Sequence, residues 1–148
     1  MDKINWVRLL LGGLIAAIIC FMTDGFLHER LVSADWLEVY RNLGGPLPKA
    51  EHAGQIVYFV IFELGRGFIL MYVYVLMRPQ CGPGPKTAVC AAVVTWIAFS
   101  LTGPAQFIPL GFYSIALWTK VAAFQFVTSI LAALAGGVLY KSSARATV

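Results

Sequence analysis

The sharpest chemical signal in the sequence is an acid and a base, Glu63 and Arg66, set three positions apart inside an apolar run. On a helix that spacing puts both side chains on one face. Arg66 falls near the middle of the run, where a charge facing hydrocarbon costs about 2.5–3.5 kcal/mol on insertion scales. An ionisable residue at that depth needs a partner or a purpose. Two readings stay open. The pair either satisfies itself and fixes how helices pack, or it forms a site for a ligand, an ion or a proton. Gly65 and Gly67 flank the arginine and would let a neighbouring helix come close.

Two further residues could join this pair. Asp24 follows the first apolar run, one helical turn before His28. Together with Glu29, Glu51 and His52 it forms a polar stretch whose carboxylates and imidazoles are of the types that bind divalent metals. Their spacing matches no metal motif, and a solvated acidic loop explains them equally well, so no metal site is assigned. Both histidines lie outside the apolar runs, which argues against haem ligation. Lys120 could reach the pair from the last apolar run, although its neighbour Trp118 favours a lysine snorkelling to the membrane surface.

Other chemistries are poorly supported. No Ser–His–Asp or Cys–His arrangement is apparent. The segment Gly82-Pro83-Gly84-Pro85-Lys86 has prolines where a phosphate-cradling loop needs backbone N–H donors. Cys20, Cys81 and Cys90 include no pair at CxxC spacing. No cofactor is expected, and catalysis is less expected than binding.

The elements that must position these residues are apolar helices. Hydrophobic residues make up 59% of the 148-residue chain and charged residues 12%, which is too little polar surface to clothe a small soluble domain. Lipid is the solvent that accepts the remainder. The sequence predicts an all-α membrane protein of a single domain over 1–148. Four transmembrane helices form a bundle, with spans at about 5–24, 55–77, 87–103 and 117–140. The first span reads as uncleaved, because Asp24 stands where a signal peptide would carry small residues. Between spans one and two, Ser33–Leu43 reads as a short amphipathic helix lying on the membrane interface through Trp36, Val39, Tyr40 and Leu43. Ser33 is expected to cap it and Gly44-Gly45-Pro46 to stop it. Arg78 to Lys86, with three prolines, is expected to form a tight turn. Gly103-Pro104 should break or kink the third span, and 103–110 could return through the membrane edge. Thr95, Ser100 and Thr102 should hydrogen-bond within or between helices. Gly12, Gly13 and the run Ala132, Ala133, Ala135, Gly136 and Gly137 read as close-packing faces.

The run Glu63-Leu64-Gly65-Arg66-Gly67-Phe68, followed by Tyr72, Tyr74, Arg78-Pro79 and Gly82-Pro83-Gly84-Pro85-Lys86-Thr87-Ala88, resembles a group of small bacterial four-span membrane proteins. It covers about a quarter of the chain. The resemblance implies a bacterial inner-membrane protein and implies no mechanism. Size and span number are also similar to the small membrane-bound glutathione and eicosanoid enzymes. Their Glu-Arg followed by a helical Asn is missing here, so that activity is not implied.

Charge sets the expected orientation. Lys3 and Arg8, Arg78 and Lys86, and Lys141 and Arg145 all fall on one side of a four-span chain, which predicts cytoplasmic termini. These scattered basic residues, although they give a net charge of +4, form no patch for nucleic acid. The bilayer is the expected partner, with a homo-oligomer or a larger membrane complex possible beyond it. The leading expectation is a non-enzymatic accessory or assembly subunit, or a small-ligand binder. The alternatives are an oligomeric transporter or channel lined by Glu63 and Arg66, and a membrane enzyme acting on a lipid-like substrate.

Overall fold

The computed structural model describes residues 4–44 and 53–140. All regular structure in them is helical: α1 (Trp6–Phe26), α2 (Ser33–Asn42), α3 (Ala53–Cys81), α4 (Pro85–Trp96), the single turn α5 (Gly103–Ala105) and α6 (Ile115–Leu139). Two π-helical segments interrupt the pattern: Leu27–Leu31 continues α1, and Ile97–Thr102 joins α4 to α5.

Among the described residues, four continuous helical stretches are long and apolar enough to cross a bilayer: Trp6–Leu31, Ile56–Cys81, Pro85–Ala105 and Ile115–Leu139. The shortest has 21 residues. At about 1.5 Å per residue it spans the ~30 Å hydrocarbon layer. Long apolar side chains such as Leu10, Leu11, Ile18, Phe59, Ile61 and Leu131 remain on the outside, as a lipid-facing surface requires.

The bundle is a ring. The α1 helix packs against α3 and α6, and α4 packs against the same two from the other side. Small residues let the helices close up. A Cβ on Gly12 would lie 2.8 Å from Gly136 O, and one on Gly67 would lie 2.5 Å from Ala17 N. Ala16, Ala91, Ala92, Ala132 and Ala133 are buried in the core where the helices meet, and Ala17 is buried against Gly67. Among lipid tails there is no hydrophobic gain in bringing helices together, so backbone-close van der Waals contact must hold them. Gly65 contributes nothing here, because a Cβ at that position would meet open space. Of the two glycines flanking Arg66, only Gly67 carries a helix contact.

At one end of the ring Asn5 accepts from Arg8 N to cap α1, and its own N–H donates to Tyr140 Oη at 3.2 Å. Arg78 lies over the rings of Tyr74 and Tyr140, 5.8 and 4.9 Å from their centroids. At the other end α2 packs Trp36 and Val39 against Leu27, Val32 and Leu117, while Tyr40 and Leu43 stay exposed.

Several boundaries differ from the sequence reading. The first span does not stop at Asp24 but runs on through a π-turn to Leu31, which moves Asp24 inside the bundle. The third span begins at Pro85, whose missing N–H costs nothing in a first turn, and passes through Gly103-Pro104 without a break. The π-segment before Pro104 absorbs the irregularity. The α3 helix runs through Pro79 to Cys81, so the turn shrinks to Gly82–Gly84, with Gly82 at φ 78° and Gly84 at φ 133°. Ser33 is the first residue of α2 and makes no cap; Gly44 at φ 66° follows the helix end as expected. Glu51 and His52 lie outside the described residues, as do Gly45 and Pro46.

Candidate functional site

Glu63 and Arg66 are buried at 5% and 2% exposure, both facing the bundle interior. The nearest partner of Arg66 is not Glu63. Its Nη1 donates to Asp24 Oδ2 at 2.9 Å, against 3.4 Å to the Glu63 carboxylate. Its Nη2 donates to Ser129 Oγ at 3.0 Å, and Gln125 Nε2 donates to the same Asp24 oxygen. One guanidinium from α3 therefore gathers a carboxylate from α1, a carboxylate from its own helix, and polar side chains from α6. A buried arginine needs its donors met, and this arrangement meets both Nη atoms across three helices, while Asp24 Oδ1 has no partner among the described residues.

Sequence spacing brought Glu63 and Arg66 together and flagged Asp24; the structure places all three in one centre. It places Lys120 elsewhere. Lys120 Nζ pairs with Asp35 of α2 at 2.9 Å, with its side chain 54% exposed, so it ties α2 to α6 at the rim. Gln125 and Ser129 were not singled out from sequence. Their i, i+4 spacing in the largely apolar stretch after Lys120 was the available signal.

Beside the charged centre lies a cavity of about 180 Å³. Arg66 and Gln125 are among its polar lining residues, with His28 and Ser100. Its walls include five aromatic side chains: Trp36, Phe62, Phe99, Tyr113 and Trp118. Phe62 and Phe99 meet edge to face at 6.2 Å, as do Trp36 and Tyr113 at 6.1 Å. Asp24 and Glu63 stand behind Arg66 and do not line it. A larger hollow of about 280 Å³, between α2 and 111–114, is lined by none of Asp24, Glu63 and Arg66.

Both π-helical segments border the smaller cavity. His28 comes from the first, and Phe99 and Ser100 from the second. A π-turn inserts one residue into the helical ladder, weakens its hydrogen bonding and recurs at functional sites. His28 Nδ1 accepts from Trp36 Nε1 at 2.7 Å, which holds the indole against the cavity, and Tyr113 Oη donates to the Pro104 carbonyl. Thr95 and Thr102 bond back to their own helix at Ala91 O and Ile97 O, as hydroxyls in apolar helices do. Ser100 is the exception: among the described residues its Oγ is buried without a partner, and so is Trp118 Nε1.

Among the described residues no cluster of His, Cys, Asp and Glu is arranged to hold a metal ion. Cys20, Cys81 and Cys90 are free thiols. No protein-family model, curated protein or solved structure matches this chain.

Proposed function

We propose that this is a non-enzymatic, small-ligand-binding protein of the bacterial inner membrane, with both termini cytoplasmic, acting as an accessory subunit that takes its ligand from the bilayer. The observation that supports it best is the convergence of two π-turns from different spans, with Arg66, on one aromatic-walled cavity. Isolated irregularities can be accidents of packing. Two that border the same hollow beside an intramembrane arginine favour a site. Phe62, which is 50% exposed, belongs to the cavity wall, so that wall reaches the lipid-facing surface between α3 and the third span.

The same geometry disfavours the alternatives. Glu63 and Arg66 are buried inside the bundle of one chain, which disfavours a path between copies lined by them. An enzyme would gain from a carboxylate presented to substrate, yet neither Asp24 nor Glu63 reaches the cavity.

The test uses Val121→Trp, which fills the cavity from its α6 wall. A bacterial total-lipid extract added to the detergent-purified protein should raise the melting temperature of the wild type more than that of the variant. Equal rises in both would mean that lipids act on the outer surface alone, and would refute the reading.

A further inference from the structure

We propose that the buried centre of Asp24, Glu63 and Arg66 is a proton-binding site, which at neutral pH holds one proton on Glu63, donated toward Asp24.

Charge comes first. Two carboxylates face one guanidinium inside the apolar bundle, an excess of one negative charge. Keeping such a charge buried and uncompensated is costly, and two carboxyls that share a site take up a proton instead. No neighbouring cation restores the balance. His28, one turn beyond Asp24, accepts at Nδ1 from Trp36 Nε1, so its ring lacks the second proton that would make it cationic. Cys20, on the same helix, is a buried free thiol. The α6 helix brings Gln125 and Ser129, which do not ionise, and its Lys120 pairs with Asp35 at the rim. The ionisable residues of the third span, Lys86 and Cys90, are exposed.

Hydrogen bonding says where the proton sits. Asp24 Oδ2 accepts from both Arg66 Nη1 and Gln125 Nε2. Glu63 is held less well: both its oxygens lie 3.4 Å from that same Nη1. Asp24 Oδ1, on a side chain nine-tenths buried, is an acceptor with no donor among the described residues. The two carboxyl groups are within hydrogen-bonding reach of each other. Ionised carboxylates only accept, so two of them cannot bond. A proton on Glu63 supplies the missing donor and removes the excess charge in one step. It needs no coordination shell, whereas among the described residues no cluster of His, Cys, Asp and Glu is arranged for a metal ion.

The test is infrared spectroscopy of the full-length protein in an alkyl-glycoside detergent, which has no carbonyl of its own. A protonated carboxylic acid gives a carbonyl stretch that shifts in D2O, as that of a lipid ester does not. Wild-type protein at neutral pH should show this band at one acid per chain. Glu63→Gln and Asp24→Asn should each lose it, because either leaves one carboxylate for one cation. Melting temperatures show which variants fold, and Glu63→Gln, which keeps the closer Arg66–Asp24 contact, suffices alone. Above the ordinary carboxylate range the folded state binds a proton that the unfolded state does not, so stability falls as pH rises. The melting temperature of the wild type should therefore drop more than that of Glu63→Gln between about pH 5 and about pH 8. A wild type without the deuterium-sensitive band, a band that survives in either folded variant, or equal pH dependence of wild type and Glu63→Gln would overturn the proposal.

Discussion

At the scale of single residues, the central fact is that one arginine serves two carboxylates. The sequence made Glu63 the natural partner of Arg66, because i, i+3 spacing is visible in a string of letters. The shorter contact, to Asp24, joins residues 42 positions apart and depends on how α1 lies against α3, which no local pattern encodes. This changes what mutations should do. Arg66→Leu strands two buried carboxylates and should cost about 3–5 kcal/mol, the usual penalty for breaking a buried pair. Glu63→Gln leaves the closer Arg66–Asp24 contact intact and should cost far less. Adding Glu63→Gln to Arg66→Leu should recover only part of the loss, because Asp24 still lacks its cation; adding Asp24→Asn as well should recover more. Thermal melts of the four variants in one detergent check the order. A double change as stable as the triple would show that Asp24 is not the main partner. Lys120 and Asp35 form an exposed pair, so Lys120→Met should shift stability by less than about 1 kcal/mol in the same assay.

Helices bring these residues together, and their existence was legible where their details were not. Four spans and the short α2 follow from apolar runs and polar breaks alone. The π-turns did not show, because Leu27–Leu31 and Ile97–Thr102 carry no composition that distinguishes them from ordinary helix. Pro79 and Pro104 were read as breakers, yet each is accommodated near a helix end or beside an irregular turn. The glycines were read as packing faces without a ranking. The structure ranks them, since a Cβ on Gly67 would lie 2.5 Å from Ala17 N and 2.6 Å from Gly13 O, both backbone atoms that cannot step aside. Gly67→Ala should therefore force α1 and α3 apart and cost about 1–3 kcal/mol, whereas Gly65→Ala should be neutral or slightly stabilising. Chemical or thermal unfolding of the two variants compares them directly. Equal behaviour would mean that the α1–α3 contact is looser than described.

For the molecule as a whole, polarity is distributed by depth. Arg78 stacks on tyrosines at the end shared by Asn5 and Tyr140, the charged centre sits among the spans, and Asp35–Lys120 ties α2 at the opposite rim. Loop charge then gives the orientation we propose. Reporter fusions after Leu43 should read the outside, and fusions after Pro83 the cytoplasm; the reverse pattern would invert the protein. The candidate site was half legible in the sequence. Its charges were, but its cavity was not, because the cavity depends on α2 folding back and on both π-turns facing the same way. The central claim is that this cavity holds a ligand drawn from the bilayer. Native mass spectrometry of the protein released from mild detergent tests it most directly. Wild-type protein should retain one small lipophile per chain, and Val121→Trp should appear at its bare mass. Bare wild-type protein, or the same added mass on both, would contradict it.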